Sequence, residues 1–436
     1  MSQILNIIKN INNFIWGVPL SSLLMGTHLF FTFRLRFIQK KIFKGIRLSI
    51  TPSDSEEGET SRFGSLATTL AATLGTGNIV GVSTAVGLGG PGAIFWCWIT
   101  GVLGMATTYS ESYLSVLYRV KNKDGSFSGG PMHVLENGLN SKFLAKIYCF
   151  FTLLAAYGVG CSTQANAITE TSSRLWGLSP YLVGIIIALI TGFAIVGGIK
   201  SISNLCSKLV PFMGVFYLLF CTLLLIINYD YIIPSIKLIT SSAFTPKAVT
   251  GGFVGSTIKT AARYGIARGL FTNEAGLGTA GIAAASAKTK SPDEQALVSM
   301  SATFWDTVVM CAITGLVITT NIMKTPSSIE GYSISEYTTA AFNQISYGDT
   351  LLGISIILFA LATLVGWSFF GEKAVEYLFG KEGIKTYHLC YIIMIFVGGI
   401  LPLDFVWEMT DFINALMIPP NLISLCLLYK KIKVKY

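Results

Sequence analysis

Long apolar runs separated by short polar segments, many of them basic, dominate the chain. A helix crossing the hydrocarbon of a bilayer needs about 20 residues, and a scan at that length predicts eleven spans. They fall near residues 13–33, 64–88, 92–118, 144–171, 180–198, 208–228, 248–271, 295–320, 350–378, 387–403 and 408–429. Gly276 to Ala287 suits either a separate short helix or a loop. The first apolar stretch follows a polar start and has no small-residue cleavage site before the basic run, so no cleavable signal peptide is expected.

One stretch breaks this pattern. Gly75-Thr76-Gly77-Asn78 lies inside the apolar run Phe63 to Leu88. A glycine costs about 1 kcal/mol relative to alanine in a helix, and an unsatisfied amide in hydrocarbon costs several more. Loosened backbone at this depth is therefore expected to line a cavity or meet a ligand, as broken helices do in secondary transporters. Close helix packing through small residues is the alternative, but packing does not call for Asn78. Leu277-Gly278-Thr279-Ala280-Gly281-Ile282 faintly echoes Leu74-Gly75-Thr76-Gly77-Asn78-Ile79, a likeness that chance among Gly/Ala-rich segments also produces. One N-terminal helix plus ten more divides into five and five, with halves beginning near residues 64 and 248. An odd number of helices per half inverts the second half relative to the first.

Composition places the chain in the bilayer. Hydrophobic residues make up 52%, charged residues 12%, and mean hydropathy is +0.62, against about 25% charged in soluble domains. The fold class is thus an all-α integral membrane protein. The segments expected are 1–63 (one helix and a basic loop), 64–247 (first repeat) and 248–436 (second repeat and basic tail). The eight cysteines stand singly in apolar segments and read as small buried hydrophobes. The three histidines show no ligand spacing, which argues against a metalloenzyme.

The basic residues set orientation. Arg34 to Arg47, Arg119 to Lys146, Lys200 and Lys208, Lys288 and Lys290, Lys373 to Lys385 and Lys430 to Lys435 fall on alternate loops, which holds most of the 31 Lys and Arg on one side. The positive-inside rule then puts the N-terminus outside and the C-terminus in the cytoplasm of a multi-pass cell-membrane protein. The net charge of +9 reads as topology, with no nucleic-acid partner implied. Glu111, Glu170, Lys259, Arg263, Arg268, Glu274 and Asp306 fall within or beside the spans, where each is expected to face protein or water. Glu111 and Arg268 read as helix-end charges that snorkel or pair at the cytoplasmic face, or as a gate salt bridge that forms in one state of a cycle. The roles of Glu274 and Asp306 stay open.

Several long motifs follow in order: Gly75 to Trp96 (GTGNIVGVSTAVGLGGPGAIFW), Gly129 to Met132, Tyr264 to Gly278 (YGIARGLFTNEAGLG), Phe304 to Cys311, Gly366 to Glu372 and Leu416 to Leu422. Together they closely resemble the alanine or glycine:cation symporter family, from about residue 60 to the C-terminus. The resemblance implies sodium-coupled import of small neutral amino acids. It also implies a fold similar to the bacterial leucine transporter, ten core helices after one extra N-terminal helix. No organic cofactor is implied, only sodium as coupling ion, with the amino acid and the lipid bilayer as partners. Thr279-Ala280-Gly281 stands where Ser-Ala-Pro is commoner in the family, and Pro419-Pro420-Asn421 carries an unusual proline; neither is expected to touch the pocket.

The residues give candidate roles beside that resemblance. Backbone N–H groups at Thr76, Gly77 and Asn78 suit a carboxylate. Carbonyls near Ala71 to Leu74 and the Asn78 side-chain oxygen suit sodium, a hard cation that prefers oxygen. Gly160 and Gln164 sit in the fourth span, where Gln164 meets substrate or makes an ordinary interhelical hydrogen bond. Thr363 and Trp367 are one turn apart on one helix face. Thr363 offers sodium a hydroxyl, and Trp367 either caps the pocket or is an ordinary core or lipid-facing aromatic. Phe253 and Phe271 are candidates for an apolar wall, or for core packing. A channel would need a continuous polar lining and subunits around an axis. A hydrolase would need an activated nucleophile beside a base. Neither pattern is visible, and the expected function is a secondary active transporter importing alanine or glycine coupled to sodium by alternating access, and not an enzyme; the alternatives are a sodium- or proton-coupled symporter of glutamine or another neutral amino acid and, behind it, an ion channel.

Overall fold

The computed structural model describes residues 2–53, 55, 57–245, 257–401 and 403–434. The first half contains α1 (Ser2–Ile15), α2 (Val18–Arg34), α3 (Ile42–Ile50), α4 (Arg62–Thr73), α5 (Val80–Gly89) and α6 (Gly92–Leu117). A hairpin of β1 (Val120–Lys121) and β2 (Phe127–Ser128) leads to α7 (Pro131–His133), α8 (Lys142–Tyr157), α9 (Thr163–Trp176), α10 (Pro180–Val196), α11 (Gly198–Ile227) and α12 (Tyr229–Ser242). The second half contains α13 (Ile258–Asn273), α14 (Thr279–Ala285), α15 (Pro292–Thr303), α16 (Ala312–Lys324), α17 (Tyr337–Phe342), α18 (Gly348–Phe379), α19 (Gly383–Ile400) and α20 (Leu403–Leu428).

Every expected apolar stretch coincides with helix over at least part of its length. Among the described residues seven helices are long and apolar enough to cross a membrane, or eight if the bent pair α4–α5 is one span. Phe193, Val196, Phe212, Val215 and Leu219 on α10 and α11 are exposed, a surface that hydrocarbon solvates without cost. At the centre α18 buries Phe359, Thr363, Leu364, Trp367, Phe370 and Ala374, because α4, α8, α9 and α11 enclose it.

Three boundaries differ from the sequence reading, and two connections carry helix. The first stretch lies in one candidate span, Asn6–Arg34, which a turn at Trp16 and Gly17 divides into α1 and α2, and α1 packs on α20. The sixth begins at Gly198, ten residues early. The seventh begins at Ile258, and the residues before Thr257 that it was expected to include lie outside the described set. The polar connections also carry helix, in α12 and α17.

The two breaks explain the architecture. Helix α4 stops at Thr73, Thr76–Asn78 forms a single 3-10 turn, and α5 leaves at 62° to α4. Glycine is required at Gly75 and Gly77 by close approach: an added Cβ would lie 2.9 Å from the Thr363 hydroxyl or 2.9 Å from the Thr272 methyl. Helix α13 stops at Asn273, and α14 starts after a turn in which Glu274, Gly276 and Gly278 all have positive φ. The start of α4 and the end of α14 are strapped together: Glu59 and Thr60 N–H donate to Ser286 O, and Lys288 N–H donates to Thr60 O. Arg119 closes the strap, donating to the carbonyls of Ala285, Ala287 and Thr289, while Arg62 pairs with Glu294.

Candidate functional site

Where α4 ends, the Ala71 carbonyl loses its helical donor, since Gly75 N–H turns instead to Thr73 O and to Asn78 Oδ1. The Thr363 hydroxyl of α18 stands over this frayed end. Its oxygen lies 3.0 Å from Ala71 O, 3.1 Å from Phe359 O and 3.5 Å from Leu74 O. A hydroxyl has one proton for these three acceptors, so oxygens outnumber donors. Oxygens around a hard cation with bonds of about 2.4 Å stand roughly 3.4 Å apart at octahedral angles, which is close to this spacing.

Gln164 faces the same point from α9. Its Nε2 donates to Val159 O at 3.2 Å, and its Oε1 is buried without a hydrogen-bond partner. Both atoms lie within 3.7 Å of the position a Gly75 Cβ would take. Gln164 follows a π-helical turn, Gly158–Ser162, an irregularity that often marks functional sites. Within that turn Gly160 abuts Trp367, leaving no room for a side chain. Trp367 is fully buried and so does not face lipid; its indole N–H donates to Glu274 Oε1 at 3.0 Å.

On the other side of the break the N–H groups of Thr76 and Gly77 open the 3-10 turn and have no acceptor among the described residues. Phe271 packs within 3.6 Å of the position of a Gly77 Cβ. Asn78 points elsewhere than Thr363: its Nδ2 donates to Asp306 Oδ1 at 2.7 Å and lies 3.3 Å from Cys311 Sγ. Its Oδ1, expected to face a cation, accepts from Gly75 N–H at 3.1 Å. Asp306 also accepts from the Thr307 hydroxyl, within a second π-helical turn, Phe304–Cys311. The structure therefore gathers Ala71, Leu74, Gly75, Gln164 and Thr363 on one side of the break. It sets Gly77, Asn78 and Phe271 on the other, and Gly160 against Trp367 one turn along α18. Phe253 lies outside the described residues.

The expectation about Glu111 is not met. Glu111 does not snorkel or pair with Arg268. It is 2% exposed, and its Oε1 accepts from Gly276 N–H at 2.8 Å, Gly278 N–H at 3.1 Å and Asn421 Nδ2 at 2.7 Å. The freed N–H groups of the second break supply the donors that solvent would otherwise provide. Arg268 instead lines a cavity of about 250 Å³ with Trp16, Leu88, Phe271, Glu408 and Asp411. In the two stretches that depart from the family motifs, Thr279 donates to Glu274 Oε2 at 2.6 Å and Asn421 donates to Gly276 O at 2.8 Å, contacts with the second break and not with the residues expected to form the pocket. Intramembrane carboxylates at 111, 274 and 306 were the available signal for these residues; which atoms they hold was not legible in one sequence.

A broken helix deep in an apolar bundle, meeting polar side chains from three others, defines a multi-pass membrane transporter. The chain belongs to the sodium:alanine symporter family, whose model it matches over residues 1–436. It is 43% identical over 431 residues to the sodium/alanine symporter AgcS of Methanococcus maripaludis, covering 97% of this chain and 94% of that one. It is 32% identical over 434 residues to the probable sodium/glutamine symporter GlnT of Bacillus subtilis, covering 99% and 90%. In fold it is similar to MhsT in complex with L-phenylalanine, with a TM-score of 0.57 at 16% identity over 86% of this chain and 90% of that one. A Na+-coupled sialic acid symporter in a substrate-bound outward-open state gives 0.58 at 12% identity over 95% and 98%. These likenesses bear out the transporter fold expected from the motifs.

Proposed function

We propose that the chain imports a small neutral amino acid, alanine or glycine, coupled to sodium by alternating access. The carrying observation is the first break, which has the unpaired Gln164 Oε1 and the surplus of oxygens at Thr363 on one side and the unpaired N–H groups of Thr76 and Gly77 on the other. The N–H groups receive the carboxylate, and Gln164 Oε1 accepts from the ammonium. Ala71 O, Leu74 O and Thr363 Oγ1 hold sodium, which bridges α4 to α18. Asn78 shapes the break by capping it at Gly75 and anchoring it to Asp306. Trp367 and Phe271 limit side-chain volume.

Around this site eleven spans are arranged as two inverted five-helix repeats, 64–247 and 248–436, after one N-terminal helix. The N-terminus is outside and the C-terminus in the cytoplasm. The likeness to the probable sodium/glutamine symporter keeps glutamine as the second reading.

Uptake of radiolabelled alanine, glycine and glutamine into proteoliposomes under an inward sodium gradient, an inward proton gradient, or neither, tests this. Sodium-dependent alanine or glycine accumulation is expected, abolished by Gln164→Ala. Accumulation of glutamine alone selects the second reading, and accumulation with protons but not sodium rejects the coupling.

A further inference from the structure

Glu274 stands on the second break and reaches from it to α18. Its backbone has φ +54°, a left-handed conformation that glycine adopts freely and a β-carbon disfavours. Gly276 and Gly278, two and four residues on, take positive φ as glycines. The side chain is 5% exposed, and among the described residues no cation lies within ion-pair distance of it. A buried carboxylate at a costly backbone position, with no counter-charge, is held there by hydrogen bonds alone. Oε1 takes the Trp367 indole N–H at 3.0 Å and Oε2 takes the Thr279 hydroxyl at 2.6 Å.

Those bonds fix the indole. Trp367 lies against Gly160, where an added Cβ would fall 2.2 Å from the Trp367 Cβ, and its ring meets Phe370 edge-on at 5.5 Å. The ring is thus clamped between a wall without side chains and a carboxylate on the second break. One turn along α18 is Thr363, which contacts the first break.

We propose that Glu274 is a specificity-determining positioning residue: it orients Trp367 across from Gly160 and so sets how large a substrate side chain the pocket admits. This rests on the reading of Trp367 as a pocket wall given above. The substrate class is the neutral amino acids, divided by side-chain volume rather than by charge.

The test uses full-length protein in proteoliposomes under a sodium gradient, and reads the ratio of glutamine to alanine uptake. Trp367→Phe, which shortens the ring and removes its N–H, is expected to raise the ratio about tenfold, the scale set by one or two methylenes in an apolar pocket. Glu274→Ala raises it to a similar extent, and the double variant adds little. Glu274→Gln keeps an acceptor for the indole and keeps the wild-type ratio. Should Glu274→Ala not elute as a monodisperse protein, Thr279→Val, which removes only the second anchor, is expected to shift the ratio the same way by about threefold, a fraction of that methylene-scale change. A raised ratio in Trp367→Phe with the wild-type ratio in Glu274→Ala, or in Thr279→Val where that stands in, overturns the inference and leaves the pocket intact. A ratio in Glu274→Gln as high as in Glu274→Ala overturns it too, since charge and not hydrogen bonding would then be at work. An unchanged ratio in Trp367→Phe rejects the pocket wall itself, and with it both readings.

Discussion

The two breaks begin from faintly similar sequence and differ in how far distant side chains engage their backbone. At the first, between Thr73 and Val80, the protein supplies few partners: Asn78 caps Gly75, and Thr76 and Gly77 N–H face no acceptor among the described residues. At the second, between Asn273 and Thr279, side chains from distant helices engage more of the backbone. Glu111 takes the N–H groups of Gly276 and Gly278, Asn421 reaches Gly276 O, and Tyr148 donates to Leu277 O at 2.8 Å. Backbone groups freed at membrane depth must be satisfied by protein, water or ligand. The second break draws more of its partners from distant side chains, whereas the first stands beside the bare Gln164 Oε1 and the Thr363 hydroxyl, which is why the proposed function places the ligand there.

This contrast can be broken experimentally. If the second break is an anchor, Glu111→Ala leaves three buried donors without an acceptor and costs about 3–5 kcal/mol, read as a large fall in melting temperature in detergent. Glu111→Gln, which keeps one oxygen, should recover much of it. A small loss in Glu111→Ala would mean that the second break does not depend on its carboxylate. If the first break is the ligand site, Asn78→Ala should cut uptake at least about 100-fold, the equivalent of two or three hydrogen bonds, while melting changes less than in Glu111→Ala. The reverse pattern would exchange the roles assigned to the two breaks. Thr363→Ala removes one sodium oxygen and is expected to raise the half-saturating sodium concentration about tenfold, or about 1.4 kcal/mol; an unchanged sodium curve would move the cation elsewhere. Thr279→Ser keeps the hydroxyl on Glu274 and should shift stability by less than about 0.5 kcal/mol and uptake hardly at all.

Much of this was legible in the sequence for a physical reason. A glycine pair around Thr76 in an apolar run is costly in a helix, so its presence points to a break whatever the tertiary context. Thr363 and Trp367 could be placed on one face because α18 is continuous. Glu111 could not be read correctly: a carboxylate near a helix end looks the same in sequence whether it snorkels or meets the N–H groups of a turn 165 residues away. The partners of Thr279 and Asn421 were equally illegible, since they connect to distant elements, α18 by way of Glu274 and α6 by way of Glu111.

The sequence by itself determined that the chain lives in a bilayer, where its long apolar stretches fall, that one of them breaks, and to which family it is similar. Local propensity, hydropathy and motif order carry that information along the chain. Only the tertiary structure decided which acceptors meet which donors: that Asn78 turns to Asp306, that Gln164 keeps a bare oxygen toward Gly75, and that Trp367 is held by Glu274. Hydrogen-bond partners at separations of 93 to 310 residues are set by how helices pack, and packing is a property of the assembled bundle rather than of any one stretch of it.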